Sequence, residues 1–134
     1  MQERGAMRWI IIVWLAAIAC VFAPGRAPAQ TTNELVPSCE AVTTAARPAA
    51  AGTIDIPQAG IPCWYYMAAV QNAVVLVDTD GRRLLGVCAP SDATLMDHVR
   101  IFVRYARRHQ KDASDNAVAV AIAALSEAYP CRDK

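Results

Sequence analysis

The sequence predicts a small all-α domain of four helices that two disulfides staple together. Beyond residue 30, apolar residues recur at helical spacing in four segments, and no internal repeat interrupts them. Four cysteines stand near the predicted ends of these segments, and the chain begins with the composition of an export signal. An even number of cysteines in a small exported domain favours disulfides.

The first 29 residues are interpreted as a signal peptide. Arg4 and Arg8 supply positive charge, and the apolar run over residues 9–22 is too short for a comfortable membrane span. The small residues at 27–29 predict cleavage before Gln30. Residues 30–134 would then form one domain in the periplasm. Lipid modification of Cys20 is the alternative, but Ala17 stands where a larger aliphatic residue is usual.

Charge and composition narrow the possible partners of the mature domain. Its formal charge is close to −1, so no nucleic acid is expected, and no membrane after cleavage of the signal. The cysteines lack the paired C-x-x-C spacing of a zinc site, and the chain has only two histidines. We therefore expect no metal site and no cofactor.

The patterns of the first two helices each allow an alternative. Residues 33–46 can form a helix capped by Asn33, or one that begins at Pro37, since proline fits only a first turn. The prolines, glycines and small residues of the segment 47–62 predict a loop. The length of the segment 62–77 favours a second helix. The alternative is a β-hairpin formed by VVLV, DTDG and RLLGV. DTDG does not continue as a calcium loop and is interpreted as a turn.

The last two helices have clearer patterns. Thr94 and Asp97 form a capping-box pattern ahead of an apolar stripe on the third helix. After a short polar connection, Asp112 or Ser114 is expected to cap the fourth helix. That helix is apolar nearly all round, which predicts a central position. The stripe consists of Leu95, Val99, Phe102, Val103 and Ala106.

Helix geometry predicts the disulfide pairing. A short connection makes the last two helices antiparallel neighbours, so the start of one lies beside the end of the other. This arrangement favours Cys88–Cys131, and the same reasoning favours Cys39–Cys63. Sequence alone still allows the two other pairings of four cysteines.

The sequence offers little support for catalysis. His98 and His109 lie on the same helix, about 16 Å apart, and are expected at the surface or at the helix end. No nucleophile is evidently paired with either of them. Asp78 and Asp80 are better explained by a turn. We therefore predict a protein that is not an enzyme.

Candidate partner-binding residues lie on two helices. Four arginines recur on one side of the third helix: Arg100, Arg104, Arg107 and Arg108. They form either a solvated face or a docking surface for an acidic partner. Trp64 and Tyr65 could anchor a partner or a second copy of the chain, so a homodimer stays open, whereas Tyr66 is expected in the core.

The segment GVCAPSDATLMDHVRIFVRYARRHQKDASDNAVAVAIAALSEAYPC, residues 86–131, resembles the C-terminal half of the Rap/Tai immunity proteins. CWYYMAAV is similar to the helix that precedes it in that family, and Cys39 matches an earlier cysteine. The resemblance implies an exported all-helical protein that binds and blocks a cognate peptidoglycan amidase effector of type VI secretion. The alternative is a stand-alone periplasmic binding or chaperone-like helical protein, because a fold does not determine function.

Overall fold

The structure is a computed structural model in which residues 29–49 and 53–131 are described. These residues form the four helices α1 (Thr32–Ala45), α2 (Ile61–Val74), α3 (Leu95–Arg108) and α4 (Ala117–Ala128). The remaining regular structure is a two-stranded ribbon, β1 (Arg47–Pro48) and β2 (Ile54–Asp55), and the 3-10 turns Gln58–Gly60 and Gln110–Asp112. The prediction of a small all-α, four-helix domain is confirmed.

The cap of α1 is Thr31, not the predicted Asn33. The Thr31 amide donates a hydrogen bond to the Glu34 carboxylate at 2.8 Å, which is one half of a capping box and lowers the pKa of that carboxyl. Pro37 lies inside α1, beyond the first turn, and is exposed. A helix start at Pro37 is therefore wrong, because the capping box and the buried Leu35 hold the turn before it.

The segment between α1 and α2 has more structure than the predicted loop. β1 and β2 pair antiparallel, with Arg47 opposite Asp55, and both strands are exposed. The following 3-10 turn presses Gly60 against α1. A Cβ atom at Gly60 would lie only 2.6 Å from Val42 Cγ2, so a residue without a side chain allows the start of α2 to approach α1 this closely.

The helix predicted over residues 62–77 and the β-hairpin considered as its alternative are both partly right. The helix ends at Val74, three residues before the predicted end, and a short hairpin follows it. Val77 pairs with Arg83 in an antiparallel bridge, and the Leu84 amide donates to the Leu76 carbonyl at 3.1 Å. The helical spacing and the strand pattern therefore describe consecutive pieces of the same segment.

Asp78 organises the turn of this hairpin. Its Oδ1 accepts hydrogen bonds from the amides of Asp80 and Arg82, at 2.9 and 2.8 Å. These bonds and the Arg82 side chain lower the pKa of the Asp78 carboxyl. Gly81 adopts a φ of 77°, which glycine reaches without steric cost. The interpretation of DTDG as a turn is confirmed.

α3 has the cap and the buried face that its sequence predicts. Thr94 Oγ1 accepts from the Asp97 amide at 3.2 Å, and the Thr94 amide donates to Asp97 Oδ2 at 3.0 Å. Of the predicted stripe only Leu95 is not buried, and Ile101 joins the core beside it. α3 contacts the three other helices.

α4 differs from its prediction in two respects. Asn116, rather than Asp112 or Ser114, caps it by accepting from the Val118 amide at 2.9 Å, because the preceding residues form a 3-10 turn first. The helix also buries only one side, and Val118 is 38% exposed on the other. The prediction of a central α4 is therefore wrong. Its exposed side carries several alanines, whose methyl groups present little apolar area to water.

The two predicted disulfides are both present. Cys39–Cys63 is buried and joins α1 to the first turn of α2, with the Cα atoms 5.0 Å apart. Cys88–Cys131, with the Cα atoms 4.9 Å apart, joins the chain before α3 to the chain after α4. A hydrogen bond from the Cys88 amide to the Tyr129 carbonyl, 2.8 Å long, supports the second connection.

Candidate interaction surfaces

The exposed side of α3 carries four arginines, Arg100, Arg104, Arg107 and Arg108, which we call the arginine face. Arg107 Nη2 lies 2.8 Å from the Glu40 carboxylate of α1, and Arg108 Nη2 lies 2.9 Å from the Glu127 carboxylate of α4. α1 and α4 therefore border the arginine face. Exposed ion pairs of this kind contribute only about 0–1 kcal/mol to stability each.

The two remaining arginines differ in their surroundings. Arg100 Nη1 lies 3.7 Å from Asp97 Oδ1, one turn earlier on the same helix. Arg104 is exposed and forms no ion pair with any residue in the two described segments of the chain. Among the described residues, Arg104 is thus the member of the arginine face whose charge no neighbouring carboxylate matches.

A groove runs between α3 and α4 beside Arg104. Its volume is about 360 Å³, roughly that of twelve water molecules in the liquid. The guanidinium of Arg108 and the carboxylate of Glu127 meet across it, and aliphatic carbon from both helices forms much of its wall. The lining residues are Ile101, Arg104, Arg108, Ala124, Glu127 and Ala128.

The aromatic residues of α2 lie apart from the arginine face. Tyr65 is 72% exposed, whereas Trp64 and Tyr66 are half-buried and pack against the core. Burial raises the pKa of the Tyr66 hydroxyl, and the backbone of Val118 offsets this only in part. Because the arginine face is bordered by α1 and α4, it and Tyr65 of α2 make two separate surfaces.

The hairpin after α2 exposes a group of apolar side chains that sequence reasoning missed. Each of them is at least half exposed, and the Arg83 guanidinium donates to the Val75 carbonyl beneath them. The four residues, which we call the hairpin patch, are Val75, Leu76, Val77 and Leu84. The sequence signal for this patch was the run VVLV at residues 74–77. A helix that buries only one side cannot bury four consecutive apolar residues at its end, so some of them are expected at the surface.

One arginine at the tip of the hairpin forms ion pairs with two carboxylates. Arg82 Nε lies 3.0 Å from Asp78 Oδ2, and Arg82 Nη2 lies 2.9 Å from Asp80 Oδ2. Asp78 and Asp80 therefore hold the turn, as the sequence indicates. The hairpin patch is therefore displayed on a turn whose backbone is held by several hydrogen bonds.

The two histidines have different environments. His98 is 2% exposed, so its expected surface position is wrong, and neither ring nitrogen has a hydrogen-bond partner in the described part of the chain. Burial holds the pKa of His98 below its usual value. His109 caps the end of α3 as expected and stacks on Tyr105, with ring centroids 3.9 Å apart.

The described residues do not contain a group of three or more histidine, cysteine, aspartate or glutamate side chains placed to hold a metal ion. Within those same segments, the helices are all too short or too polar to cross a bilayer. The predicted signal peptide falls almost entirely on residues 1–28, outside the described part of the chain.

Comparison with known proteins identifies one family. A family model described as Rap1a immunity proteins matches residues 31–131, which include all four helices and both disulfides. No curated protein and no solved structure shows significant similarity to the chain. The family match agrees with the resemblance carried by the segment 86–131.

Proposed function

The chain belongs to the Rap1a immunity protein family, and from this membership we propose that it is a periplasmic protein that binds and inhibits an amidase effector of type VI secretion. The observation that carries the proposal is the family match over residues 31–131. Immunity proteins of this family are generally non-enzymatic. Inhibition would therefore come from occupying a surface of the effector rather than from chemistry on it.

Export to the periplasm is the second part of the proposal. Two disulfides suit an oxidising compartment, and proteins of this family are generally periplasmic. Residues 1–29 would be the signal peptide and 30–134 the immunity domain. The backbone at the proposed new N-terminus is held, because the Ala117 amide donates to the Gln30 carbonyl at 3.0 Å. A domain that begins at Gln30 would thus keep this contact with α4.

Two surfaces are proposed to contact the amidase. The arginine face supplies exposed positive charge, which speeds association with an acidic partner and confers specificity. Of its members, Arg100, Arg104 and Arg107 are the proposed contacts, with Trp64 and Tyr65 as aromatic anchors on α2. The hairpin patch is a further candidate, because exposed clustered apolar residues are characteristic of protein–protein interfaces.

The proposal is tested by purifying the tagged protein from the periplasm and identifying what is bound to it. An amidase recovered in this way is then titrated with the mature domain while peptidoglycan hydrolysis is measured. The triple variant Arg100→Glu, Arg104→Glu, Arg107→Glu should inhibit less than the wild type. Arg47→Glu, on the exposed ribbon, is the control for a general effect of charge.

Two results would contradict this proposal. If the pure domain leaves the hydrolysis of peptidoglycan unchanged, it is not an amidase inhibitor. Recovery of many unfolded proteins in place of one effector would favour the chaperone-like alternative. Undiminished inhibition by the triple variant would restrict the contact to α2 and the hairpin patch.

A further inference from the structure

We infer that the groove between α3 and α4 receives one acidic side chain of the bound amidase, whose carboxylate pairs with the guanidinium of Arg104. This inference rests on the proposed function and specifies how one of its surfaces recognises the partner. It assigns the arginines of α3 unequal roles, although they look alike in the sequence.

The distribution of carboxylates around α3 is the first argument. Arg107 and Arg108 already lie 2.8 and 2.9 Å from carboxylates of neighbouring helices, and Arg100 lies 3.7 Å from Asp97. A partner that drew these arginines away would leave charged groups of this chain unmatched. Arg104 has no such partner in the described segments, so pairing it with an incoming carboxylate breaks no existing ion pair.

The charge of the groove gives the same answer. Arg108 and Glu127 neutralise each other across it, so that among the described residues that line the groove Arg104 carries the one unpaired charge. One carboxylate would bring the groove to neutrality, whereas a second would be in excess. A guanidinium and a carboxylate form a planar, bidentate pair that is stronger than a hydrogen bond between neutral groups.

The shape of the groove favours a side chain over a larger element. Its volume of about 360 Å³ accommodates one or two side chains but no helix or strand. Ile101 and Ala124 are buried beneath it, and Ala128 lies at its edge. The methylene groups of a glutamate could pack on this aliphatic carbon while its carboxylate reaches Arg104.

The test compares three variants that each remove one positive charge from α3: Arg104→Gln, Arg100→Gln and Arg107→Gln. The probe is the purified amidase recovered with the wild-type domain, and surface plasmon resonance measures its association and dissociation rates. Arg104→Gln should raise Kd by at least about tenfold, mainly through faster dissociation. Arg100→Gln and Arg107→Gln, at the two other proposed contacts, should raise Kd less than Arg104→Gln does, and mainly through slower association. The control Arg47→Gln, on the exposed ribbon, should leave Kd within about threefold of the wild type.

A charge exchange identifies the residue that enters the groove. Single acidic residues on the amidase are changed to arginine, and each variant is measured against the domain carrying Arg104→Glu. One of these amidase variants should bind the Arg104→Glu domain at least about tenfold more tightly than the wild-type amidase does. Thermal unfolding of every domain variant should match the wild type, because these side chains are exposed.

The possible failures can be told apart. If the wild-type domain binds no amidase, the proposed function is wrong, and the inference is overturned with it. If the wild type inhibits the amidase and the three neutral variants lose equal affinity through association alone, only the inference is overturned. The arginine face would then attract the partner through its total charge, and the groove would have no specific occupant.

Discussion

The ring of His98 packs edge-on against the ring of Tyr129, with the ring centroids 5.9 Å apart. His98 belongs to the first turns of α3, and Tyr129 follows the last residue of α4. The Cys88 amide donates to the Tyr129 carbonyl in the same region, next to the disulfide with Cys131. A buried, titratable ring thus lies where the two ends of the α3–α4 pair are joined.

The burial of His98 predicts that the domain loses stability in mild acid. Burial lowers the pKa of His98 from its usual value near 6.5, and the nearby Asp97 carboxylate offsets this only in part. The unfolded chain therefore takes up a proton at a pH where the folded chain does not. The free energy of unfolding should fall as the pH drops below about 6.5, by at most about 1.4 kcal/mol per pH unit for one proton.

Urea unfolding at several pH values between 7.5 and 5 measures this effect. The matched control is His98→Phe, which keeps an aromatic ring against Tyr129 but cannot take up a proton. Its stability should depend less on pH over this range than that of the wild type. Asp97, whose pKa is lowered by hydrogen bonds to Thr94, loses its contribution only in stronger acid and is common to both proteins. Parallel pH profiles for the two proteins would contradict the prediction.

Removal of the Cys88–Cys131 disulfide should destabilise the domain. The bond spans 43 residues, and the chain-entropy relation assigns about 4 kcal/mol to a loop of that length. Cys131→Ser should therefore lower the free energy of unfolding by about 2–5 kcal/mol in urea titrations. The double variant Cys88→Ser, Cys131→Ser should be nearly as stable as the single one, because both lack the same bond. A much larger loss in the double variant would show that Cys88 has another role.

Gly60→Ala should be destabilising despite its small size. The backbone of Gly60 has a φ of −89°, which alanine adopts readily, so conformational strain is not the cause. The added Cβ atom would instead lie 2.6 Å from Val42 Cγ2, and the buried side of α1 would have to shift. The expected loss is about 1–3 kcal/mol, measured by urea or thermal unfolding.

A second substitution tests this cause. Val42→Ala removes the methyl group that clashes, although it also leaves a cavity. Adding Gly60→Ala to a domain that already carries Val42→Ala should then cost less than adding it to the wild type. Equal costs in the two backgrounds would mean that the contact with Val42 is not the source of the loss.

Leu76→Glu should separate binding from folding on the hairpin patch. Leu76 is 54% exposed, so its replacement should change the free energy of unfolding by no more than about 0.5 kcal/mol. If the patch contacts the amidase, inhibition should weaken by about 1–3 kcal/mol in a titration of peptidoglycan hydrolysis. Val118→Glu is the control, because Val118 is also an exposed apolar residue but lies on α4. Equal losses for the two variants would indicate a nonspecific effect of the added charge.

Mass spectrometry of the exported protein should find a mature N-terminus at Gln30. The small residues at 27–29 direct the cleavage, and the contact of Gln30 with Ala117 keeps the new end ordered. A lipid-modified N-terminus at Cys20 would contradict this prediction and would attach the domain to a membrane.

The sequence determined the number and order of the helices and the cap of α3. It favoured the disulfide pairing that the structure has, but it left two other pairings open. These features depend on local patterns, such as apolar spacing and the Thr94–Asp97 box, or on the short connection that forces α3 and α4 to lie antiparallel. The same patterns identified the arginine face, because four arginines recur along one side of a single helix. Information of this kind is contained in short stretches of the chain.

Only the tertiary structure decided which of these residues are matched, buried or exposed. Glu40 and Glu127 lie far from α3 in sequence, so their pairing with Arg107 and Arg108 follows from helix packing. The lack of an ion pair to Arg104 within the described segments follows from the same packing. His98 is buried where the ring of Tyr129, which follows the last residue of α4, packs against it. Side-chain spacing along one helix cannot specify what another helix brings against it, since that depends on how all four pack together.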